Sequence, residues 1–377
     1  MKKYLLTPGP SYVPYRIREE LAKEIIHHRT QEFREILKEV SQSLKKVFCT
    51  ENPVITFASS GTGAMEAAVA NFFSLKDKVI VVNGGKFGER WKEITQGYGL
   101  EVVEYKIEWG SFPSVEYLDN LLKKEKDIKA LFTTLCETST GTVYNIEEIA
   151  KLVKDKSTLL IVDAVSGLGQ DKLLTDEWGV DVVVSSSQKG LMLPPGLSFI
   201  SISPKAQEAM KKAKLPCYYF NLAKALKSYK NDDTPFTSSI SLIVALRKSL
   251  EIINEEGIAN RWKRFSLLSS ATREAAKSLG LSLFSKRPSN SVTAISSPQG
   301  ISSSEVVNLL RKKYKVSIAG GQAEFKEKIF RIAHMGAIDK DDLLVCFSFL
   351  EKALKELGYK RFEEGISLKK LQEILDV

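Results

Sequence analysis

The sequence has few of the residues that build disulfide frameworks or zinc sites. Its 377 residues include three histidines and four cysteines, Cys49, Cys136, Cys217 and Cys346, which lie far apart without a C-x-x-C pair. Neither a disulfide framework nor a zinc site is indicated, and we expect no bound metal. Scattered single cysteines are typical of a reducing compartment, so we expect a cytoplasmic protein.

Long apolar runs are also missing. None approaches the roughly 18 residues of a membrane span, and the N-terminal MKKYLLTPGPS breaks at Pro8, which argues against a signal peptide. The net charge is +9, but the lysines are mixed with glutamates, as in ranges 35–46 and 123–129, and are not interleaved with aromatics. We therefore expect neither a membrane nor a nucleic-acid partner, and the charge suits an anionic cofactor and carboxylate substrates.

From Val54 onward, short apolar runs alternate with amphipathic ones. The predicted strands are 54–57, 79–82, 101–105, 130–134, 159–162 and 180–184, with helices in most of the intervals between them. This alternation is typical of a mostly parallel sheet covered on both faces, so the predicted fold class is α/β. A long helix at 241–256 is ended by Gly257, and the helices and strands predicted beyond it indicate a smaller α+β domain.

The chain is divided into three parts on this basis. Residues 1–15, rich in proline, are expected to form an extended N-terminal arm, residues 16–258 a large domain, and residues 259–377 a small C-terminal domain. The stretch 215–233 is predicted to be irregular. The tail 362–377 is predicted to be one more amphipathic helix, packed on the body of the protein or on a partner.

Unusual polar residues follow several of the predicted strands. In chain order they are Ser60-Gly61-Thr62, Asn83-Gly84-Gly85, Glu137-Thr138-Ser139-Thr140-Gly141, Asp163, and Lys189, which comes after a segment Ser185–Ser187 that we expect to carry the chain out of the sheet. Ligands bind where parallel strands end at their carboxyl edge. We therefore expect these residues to converge on one site.

Three of these features meet the needs of pyridoxal 5'-phosphate. The helix start at Ser60-Gly61-Thr62 offers N–H groups to a phosphate, although an ordinary N-cap has the same sequence. Asp163 at a strand end is costly to bury unless it is paired: it either caps the segment that follows, pairs with an arginine, or meets a protonated ring nitrogen. Lys189 is either a solvated lysine or a desolvated, nucleophilic amine. Together they predict a site for this cofactor, which requires a lysine, an acid and a phosphate anchor.

In addition, the chain resembles the class V, fold-type I pyridoxal-phosphate aminotransferases, and most of all the alanine–glyoxylate and serine–pyruvate aminotransferases. The resemblance runs from Leu6 to about Gly358. It rests on the polar motifs above and on Leu6-Thr7-Pro8-Gly9-Pro10, Phe87-Gly88, Val162-Asp163-Ala164-Val165, Ser187-Gln188-Lys189-Gly190, Pro235-Phe236-Thr237 and Phe330-Arg331-Ile332. It implies a large domain with a mostly parallel seven-stranded sheet, a smaller α+β domain, and a homodimer whose active sites are shared across the interface.

The resemblance also implies a role for each site residue. Lys189 carries the cofactor and moves the substrate proton, and Asp163 keeps the ring nitrogen protonated. The remaining cofactor contacts are the phosphate ligands Ser60, Gly61, Thr62, Gln188 and the neighbouring subunit's Thr237, together with Thr138 at the ring hydroxyl and Val165 and Phe87 on the two ring faces. Arg331 receives the substrate carboxylate, beside Pro8 and Gly9. Many relatives have tryptophan or tyrosine at Phe87, and often a tyrosine at Thr234.

The expected function is transfer of an amino group from a small neutral amino acid, serine or alanine, to pyruvate or glyoxylate. One alternative is a phosphoserine aminotransferase, in which a pair such as His28-Arg29 helps to bind substrate phosphate; otherwise the pair positions the N-terminal arm. A cysteine desulfurase would need a cysteine on a mobile loop. Ser186-x-x-Lys189 also fits the S-x-x-K of serine acyl enzymes. A regulatory protein with this fold would be expected to have lost Lys189 or Arg331.

Overall fold

The computed structural model describes residues 3–376. The strands are β1 (Tyr4–Leu5), β2 (Val54–Phe57), β3 (Lys78–Asn83), β4 (Glu101–Lys106), β5 (Ile128–Thr134), β6 (Cys136–Glu137), β7 (Thr142–Val143), β8 (Leu159–Asp163), β9 (Val182–Ser186), β10 (Ser198–Ile202), β11 (Val292–Ser296), β12 (Val316–Ser317), β13 (Ala319–Gly320) and β14 (Ile329–Ala333).

The helices of the described residues lie between and after these strands. They are α1 (Tyr15–Leu21), α2 (Gln31–Phe48), α3 (Gly61–Phe72), α4 (Lys86–Gly97), α5 (Val115–Lys124), α6 (Ile146–Lys151), α7 (Thr175–Trp178), α8 (Pro204–Met210), α9 (Leu222–Tyr229), α10 (Ile240–Glu256), α11 (Ile258–Ser278), α12 (Ser303–Leu309), α13 (Lys340–Glu356) and α14 (Ile366–Leu375). A π-helical turn, Leu310–Tyr314, continues α12, and a 3-10 turn covers Ala323–Phe325.

A seven-stranded sheet forms the centre of the large domain, in the order β2-β10-β9-β8-β5-β3-β4. The pairs β9–β8, β8–β5, β5–β3 and β3–β4 are parallel, whereas β10 runs antiparallel to both of its neighbours. Apolar side chains cover both faces of this sheet, in one core that includes α2 and α10 and another that includes α3. The predicted mostly parallel α/β fold is therefore confirmed.

The sequence reasoning was wrong about two local segments of the large domain. Ser185 and Ser186 do not leave the sheet: β9 extends to Ser186 because both residues pair with β10, a strand that was not predicted. The stretch 215–233 is not irregular throughout, because it contains α9. The side chain of Asn221 accepts a hydrogen bond of 2.9 Å from the N–H of Lys224 and so starts this helix.

The C-terminal part has its own antiparallel sheet, β11-β14-β13, and its own core. The N-terminal arm joins this core, because β1 pairs in parallel with β12 and Leu6 is buried among its apolar residues. Helix α14 packs on α11 and α13, so the predicted tail helix lies on the body of the protein; the last tail residue, 377, is outside the described residues. The domain boundaries at 15/16 and 258/259 stay predictions.

Two further absences apply to residues 3–376 only. No helix in this range is both long and apolar enough to cross a membrane. The same range contains no group of three or more histidine, cysteine, aspartate or glutamate side chains arranged to hold a metal ion.

Candidate active site

The carboxyl ends of the parallel strands bring the predicted site residues together. Asp163 is the last residue of β8 and pairs with Thr134 of β5 on one side and Val184 of β9 on the other. The turns that follow β5 and β9 therefore lie beside it, and they carry Thr138 and Lys189. Buried, near-continuous apolar strands put these polar ends at one edge of the sheet.

Lys189 lies in a buried position at this edge, with 8% of its surface exposed. Its ammonium group donates a hydrogen bond to the carbonyl oxygen of Pro8 in the N-terminal arm. Ser11 ties the arm to the lysine backbone, because its hydroxyl donates to the Lys189 carbonyl oxygen at 2.8 Å. Burial, assisted by the positive charge of Arg331, lowers the pKa of Lys189 to about 8. This amine is accordingly far easier to deprotonate than a surface lysine.

Asp163 is buried on the same edge without a cationic hydrogen-bond partner among the described residues. Its Oδ1 accepts one hydrogen bond of 2.8 Å from the N–H of Val165. Burial raises the pKa of Asp163 to about 6. A carboxylate in this state would be stabilised by a protonated nitrogen, which is what a pyridinium ring supplies.

The start of α3 forms a cradle of small and hydroxylated residues. Ser60 precedes the helix without a side-chain cap, and Thr62 is half-buried in its first turn. A methyl group at Gly61 would lie 2.9 Å from Val165 Cγ2 and 3.2 Å from Ser186 Cβ, so only glycine fits there. Ser186 Oγ and Gln188 Oε1 are buried without a partner in the described residues. The Ser186 hydroxyl and the N–H groups of the uncapped helix start can donate to an anionic phosphate, and Gln188 would do so through its Nε2, because its Oε1 can only accept.

Phe87, Thr138 and Val165 lie around these groups. Thr138 donates a 2.5 Å hydrogen bond from its hydroxyl to Ser166 Oγ, directly after Val165. Phe87 is half-buried in the first turn of α4, and the guanidinium carbon of Arg90 lies 4.9 Å from its ring centroid. Arg90 also reaches Thr62 Oγ1 at 3.4 Å, which links α4 to the cradle at α3.

Arg331 enters the site from β14 of the small domain. Its Nε and Nη2 donate to the carbonyl oxygen of Gly320 at 3.0 and 2.8 Å, and its Nη1 donates to that of Thr138 at 2.8 Å. These bonds use three of the five N–H donors of a guanidinium group. Two donors remain, which is the number that a bidentate carboxylate needs. Burial lowers the pKa of Arg331 to about 10, so the group is still charged at neutral pH.

Thr237 lies apart from the other predicted site residues within this chain. It is exposed, and its Oγ1 is 3.4 Å from Nε2 of His28. Arg29 donates to Oδ1 of Asp233 at 2.5 Å and to the Thr234 carbonyl oxygen at 2.8 Å. The His28-Arg29 pair therefore holds the segment 233–237 in place.

Two residues near the site received no role in the sequence analysis, Arg90 and Glu137. The positive charge of Arg90 acts on both Asp163 and Lys189, and Glu137 is fully buried and acts on Asp163 and Arg331. One signal for Glu137 was in the sequence, since it is the only charged residue in the stretch Ala130–Gly141. Arg90 had none, because it lies within an ordinary amphipathic helix.

Comparisons with known proteins identify the family of the chain. The profile of the family "Aminotransferase class-V" matches residues 4–335. The chain is 42% identical to the soluble hydrogenase 42 kDa subunit of Anabaena cylindrica over 97% of its own length and 96% of that protein. It is 33% identical to the serine–glyoxylate aminotransferase of Methylorubrum extorquens, over 95% and 92% of the two chains.

A solved structure extends the comparison to the fold. The alanine–glyoxylate aminotransferase of a Nostoc species superposes with a TM-score of 0.90 at 30% identity, over 94% of this chain and 96% of that one. The fold is that of the fold-type I pyridoxal-phosphate aminotransferases. The chain belongs to the class V aminotransferase family and is an aminotransferase.

Proposed function

We propose that this enzyme moves an amino group from a small neutral amino acid, serine or alanine, to glyoxylate or pyruvate, with pyridoxal 5'-phosphate bound at Lys189. The observation that carries the proposal is the arrangement of three buried groups: the Lys189 amine, the Asp163 carboxyl and the Arg331 guanidinium. An amine and an acid at one sheet edge, with a carboxylate receptor that enters the site from β14, are the groups that transamination of an amino acid requires.

The residues present fit this cofactor. The cradle of Ser60, Gly61, Thr62 and Gln188 would hold the phosphate, and Asp163 would face the ring nitrogen. When bound, the cofactor supplies an electron sink for charge that develops at the amino acid's α-carbon. The protein's own share is to keep the ring nitrogen protonated through Asp163, and to take and return the α-proton through the Lys189 amine, whose pKa is about 8.

The surroundings of Lys189 favour a small substrate. Gly9 lies over the lysine so closely that a methyl group in its place would be 2.6 Å from Cδ and nearer still to Cε and Nζ. Little room for a side chain is left on this side. Arg331, with two N–H donors not used by the protein, would hold the α-carboxylate and so orient the α-carbon toward the amine.

We also propose that the enzyme is a homodimer. Within one chain, Thr237 lies beside His28 at the surface and not in the phosphate cradle. In the proposed shared site, the segment 233–237 reaches the phosphate cradle of a second copy of the chain. The Arg29–Asp233 ion pair would hold the segment in position for this contact. This engagement of Arg29 is also why we do not assign the His28-Arg29 pair to a phosphorylated substrate.

The serine acyl enzyme alternative gains nothing from the structure. Ser186 is a strand residue, 1% exposed, and its hydroxyl has no hydrogen-bond partner in the described chain, whereas the Lys189 amine faces Pro8. A nucleophilic serine needs a base within hydrogen-bond reach. The desulfurase alternative is not favoured either, because Cys136 and Cys346 are buried and Cys49 and Cys217 are only half-buried.

The test is spectroscopic. The purified protein is loaded with pyridoxal phosphate and freed of unbound cofactor by gel filtration, and serine, alanine, aspartate and phosphoserine are added one at a time while the visible absorbance is followed. We expect serine or alanine to convert the aldehyde form to the amine form, and glyoxylate or pyruvate to restore it. Conversion by phosphoserine alone would replace the proposed substrate, and no visible band with any cofactor concentration would overturn the function. Lys189→Ala is the control that must lose the band.

A further inference from the structure

A buried glutamate close to the site has hydrogen-bond partners other than Lys189, Asp163 and Arg331. Glu137 is 0% exposed and accepts hydrogen bonds with both carboxylate oxygens. Its Oε2 accepts from the N–H groups of Phe87 and Gly88, each at 3.0 Å, and its Oε1 accepts from the N–H of Ser139 at 3.1 Å and from the Ser139 hydroxyl. One side chain thus joins the start of α4 to the turn after β6.

These bonds fix two polypeptide segments that carry proposed site residues. On one side is Phe87, the proposed stacking residue. On the other is Thr138, which lies between Glu137 and Ser139 and whose carbonyl oxygen accepts from Arg331 at 2.8 Å. The Ser139 hydroxyl completes the link by accepting from the N–H of Lys86 at 3.1 Å. Gly85 permits the approach, since a methyl group there would lie 2.6 Å from the Glu137 carboxyl carbon.

We propose that Glu137 is a positioning residue for cofactor stacking and substrate capture: its carboxylate holds Phe87 and, through Thr138, Arg331 in the geometry that binding requires. This inference rests on the proposed function, because it assumes that Phe87 packs on the cofactor and Arg331 binds the substrate carboxylate. The negative charge of Glu137 also helps to keep Arg331 charged, because it raises the pKa of Arg331, which burial lowers.

The carboxylate is needed because all of its partners are donors. In Glu137→Gln, one oxygen becomes an NH2 group, which cannot accept and whose hydrogens face either the Phe87 and Gly88 N–H groups or that of Ser139. One side of the link is therefore lost while the side-chain volume stays the same. Lys189 lies in the turn after β9 and Asp163 at the end of β8, and neither makes a hydrogen bond to Glu137, so the reacting groups stay in place.

The chain contains a matched control. Glu351 is 3% exposed, and it accepts from Gly365 N–H at 2.7 Å, Ser367 N–H at 2.9 Å and the Ser367 hydroxyl at 2.6 Å, at the start of α14. It has the same kind of burial and the same kinds of donor as Glu137, but it supports the C-terminal helix. Glu351→Gln therefore measures the structural cost of losing such a carboxylate without touching the site.

The experiment compares wild type, Glu137→Gln and Glu351→Gln by thermal unfolding, by fluorescence titration of cofactor-free protein with pyridoxal phosphate, and by steady-state kinetics. We expect both variants to lose thermal stability. Only Glu137→Gln should raise the dissociation constant of pyridoxal phosphate and the amino-donor KM. Each should rise by about tenfold, which is the factor in affinity that one hydrogen bond to a charged group contributes. The kcat of this variant should stay within about threefold of the wild-type value. Equal changes in the two variants, or unchanged affinities in Glu137→Gln, would overturn the proposal.

If Glu137→Gln does not fold, the variant Ser139→Ala tests the positioning role of Glu137 instead. This variant keeps the charge and removes only the hydroxyl that Glu137 and the Lys86 N–H share. A severalfold rise in the cofactor dissociation constant and in KM is expected, and wild-type values would refute the positioning role. Failure of the proposed function shows up separately, because then the wild-type protein itself would bind no pyridoxal phosphate.

Discussion

Replacing Gly9 by alanine tests the geometry of the site more sharply than removing a reactive group. Gly9 has φ +106°, and a methyl group at its Cα would lie 2.6 Å from Lys189 Cδ and nearer to Cε and Nζ. Two costs follow. Positive φ in an alanine costs on the order of 1–3 kcal/mol of unfolding free energy. The overlap itself is relieved by moving the end of the flexible lysine, so it appears in activity and not in stability.

The displacement of the Lys189 side chain has the larger effect on the reaction. A displacement of about 1 Å in a reacting group can cost on the order of a hundredfold in rate. We therefore expect Gly9→Ala to lower kcat/KM for amine transfer by about a hundredfold, measured by steady-state kinetics with alanine and glyoxylate, and to lower the free energy of urea unfolding by about 1–3 kcal/mol.

Gly358→Ala is the control for this variant. Gly358 also has positive φ, +91°, but nothing lies within 4 Å of a methyl group placed there. This variant should lose a similar amount of stability and keep wild-type kcat/KM. If Gly9→Ala also keeps wild-type kcat/KM, the N-terminal arm does not lie over the lysine in the working enzyme and the reasoning is refuted.

Three further variants test the electrostatics of the site. Arg331→Lys should raise the KM of amino donors by roughly tenfold to a hundredfold, because an ammonium group cannot replace the bonds to Gly320 and Thr138 and also form a fork; unchanged KM for every donor would show that another cation binds the carboxylate. The folded-state pKa of Asp163, about 6, is above its ordinary 3.8, so ionisation of this carboxyl destabilises the folded protein. The penalty is absent below pH 3.8, grows as the pH rises to 6, and is complete above pH 6. Asp163→Asn should accordingly stabilise the cofactor-free protein at pH 7 by on the order of 3 kcal/mol and much less at pH 4, while activity falls; equal gains in urea unfolding at both pH values would contradict this. The folded-state pKa of Lys189, about 8, is below its ordinary 10.5, so its charge opposes folding fully below pH 8 and progressively less up to pH 10.5. Lys189→Met should be more stable than wild type at pH 7 by on the order of 3 kcal/mol, and a gain that persists at pH 10.5 would show that packing causes it.

The parallel strands and the polar residues that follow them could be predicted from the sequence because both depend on local patterns. Buried parallel strands are uninterrupted apolar runs, as in residues 159–162, and the alternation of strands and helices places the ends of the strands on one edge of the sheet. Strand β10 does not follow that alternation. Ser198–Ile202 comes after β9 and a proline–glycine stretch with no helix between the two strands, and its antiparallel pairing with β2 depends on contacts far apart in sequence.

The site was predictable to the extent that its residues lie at strand ends. The position of Thr138 against Arg331, and of Pro8 and Gly9 against Lys189, depends on how the C-terminal part and the arm meet the large sheet, which no local pattern encodes. Glu137 was expected at the site but received no role for the same reason, because its partners Phe87 and Gly88 lie about fifty residues away. The resemblance, and not the pattern, assigned Thr237, whose proposed partner is another chain.

The most direct test of the central claim is to trap the cofactor on the protein. The enzyme is incubated with pyridoxal phosphate, reduced with borohydride, digested, and mapped by mass spectrometry. The account predicts one phosphopyridoxyl group on the peptide that contains Lys189, and none in Lys189→Met. A label on a different lysine, or no label at a saturating cofactor concentration, would contradict it.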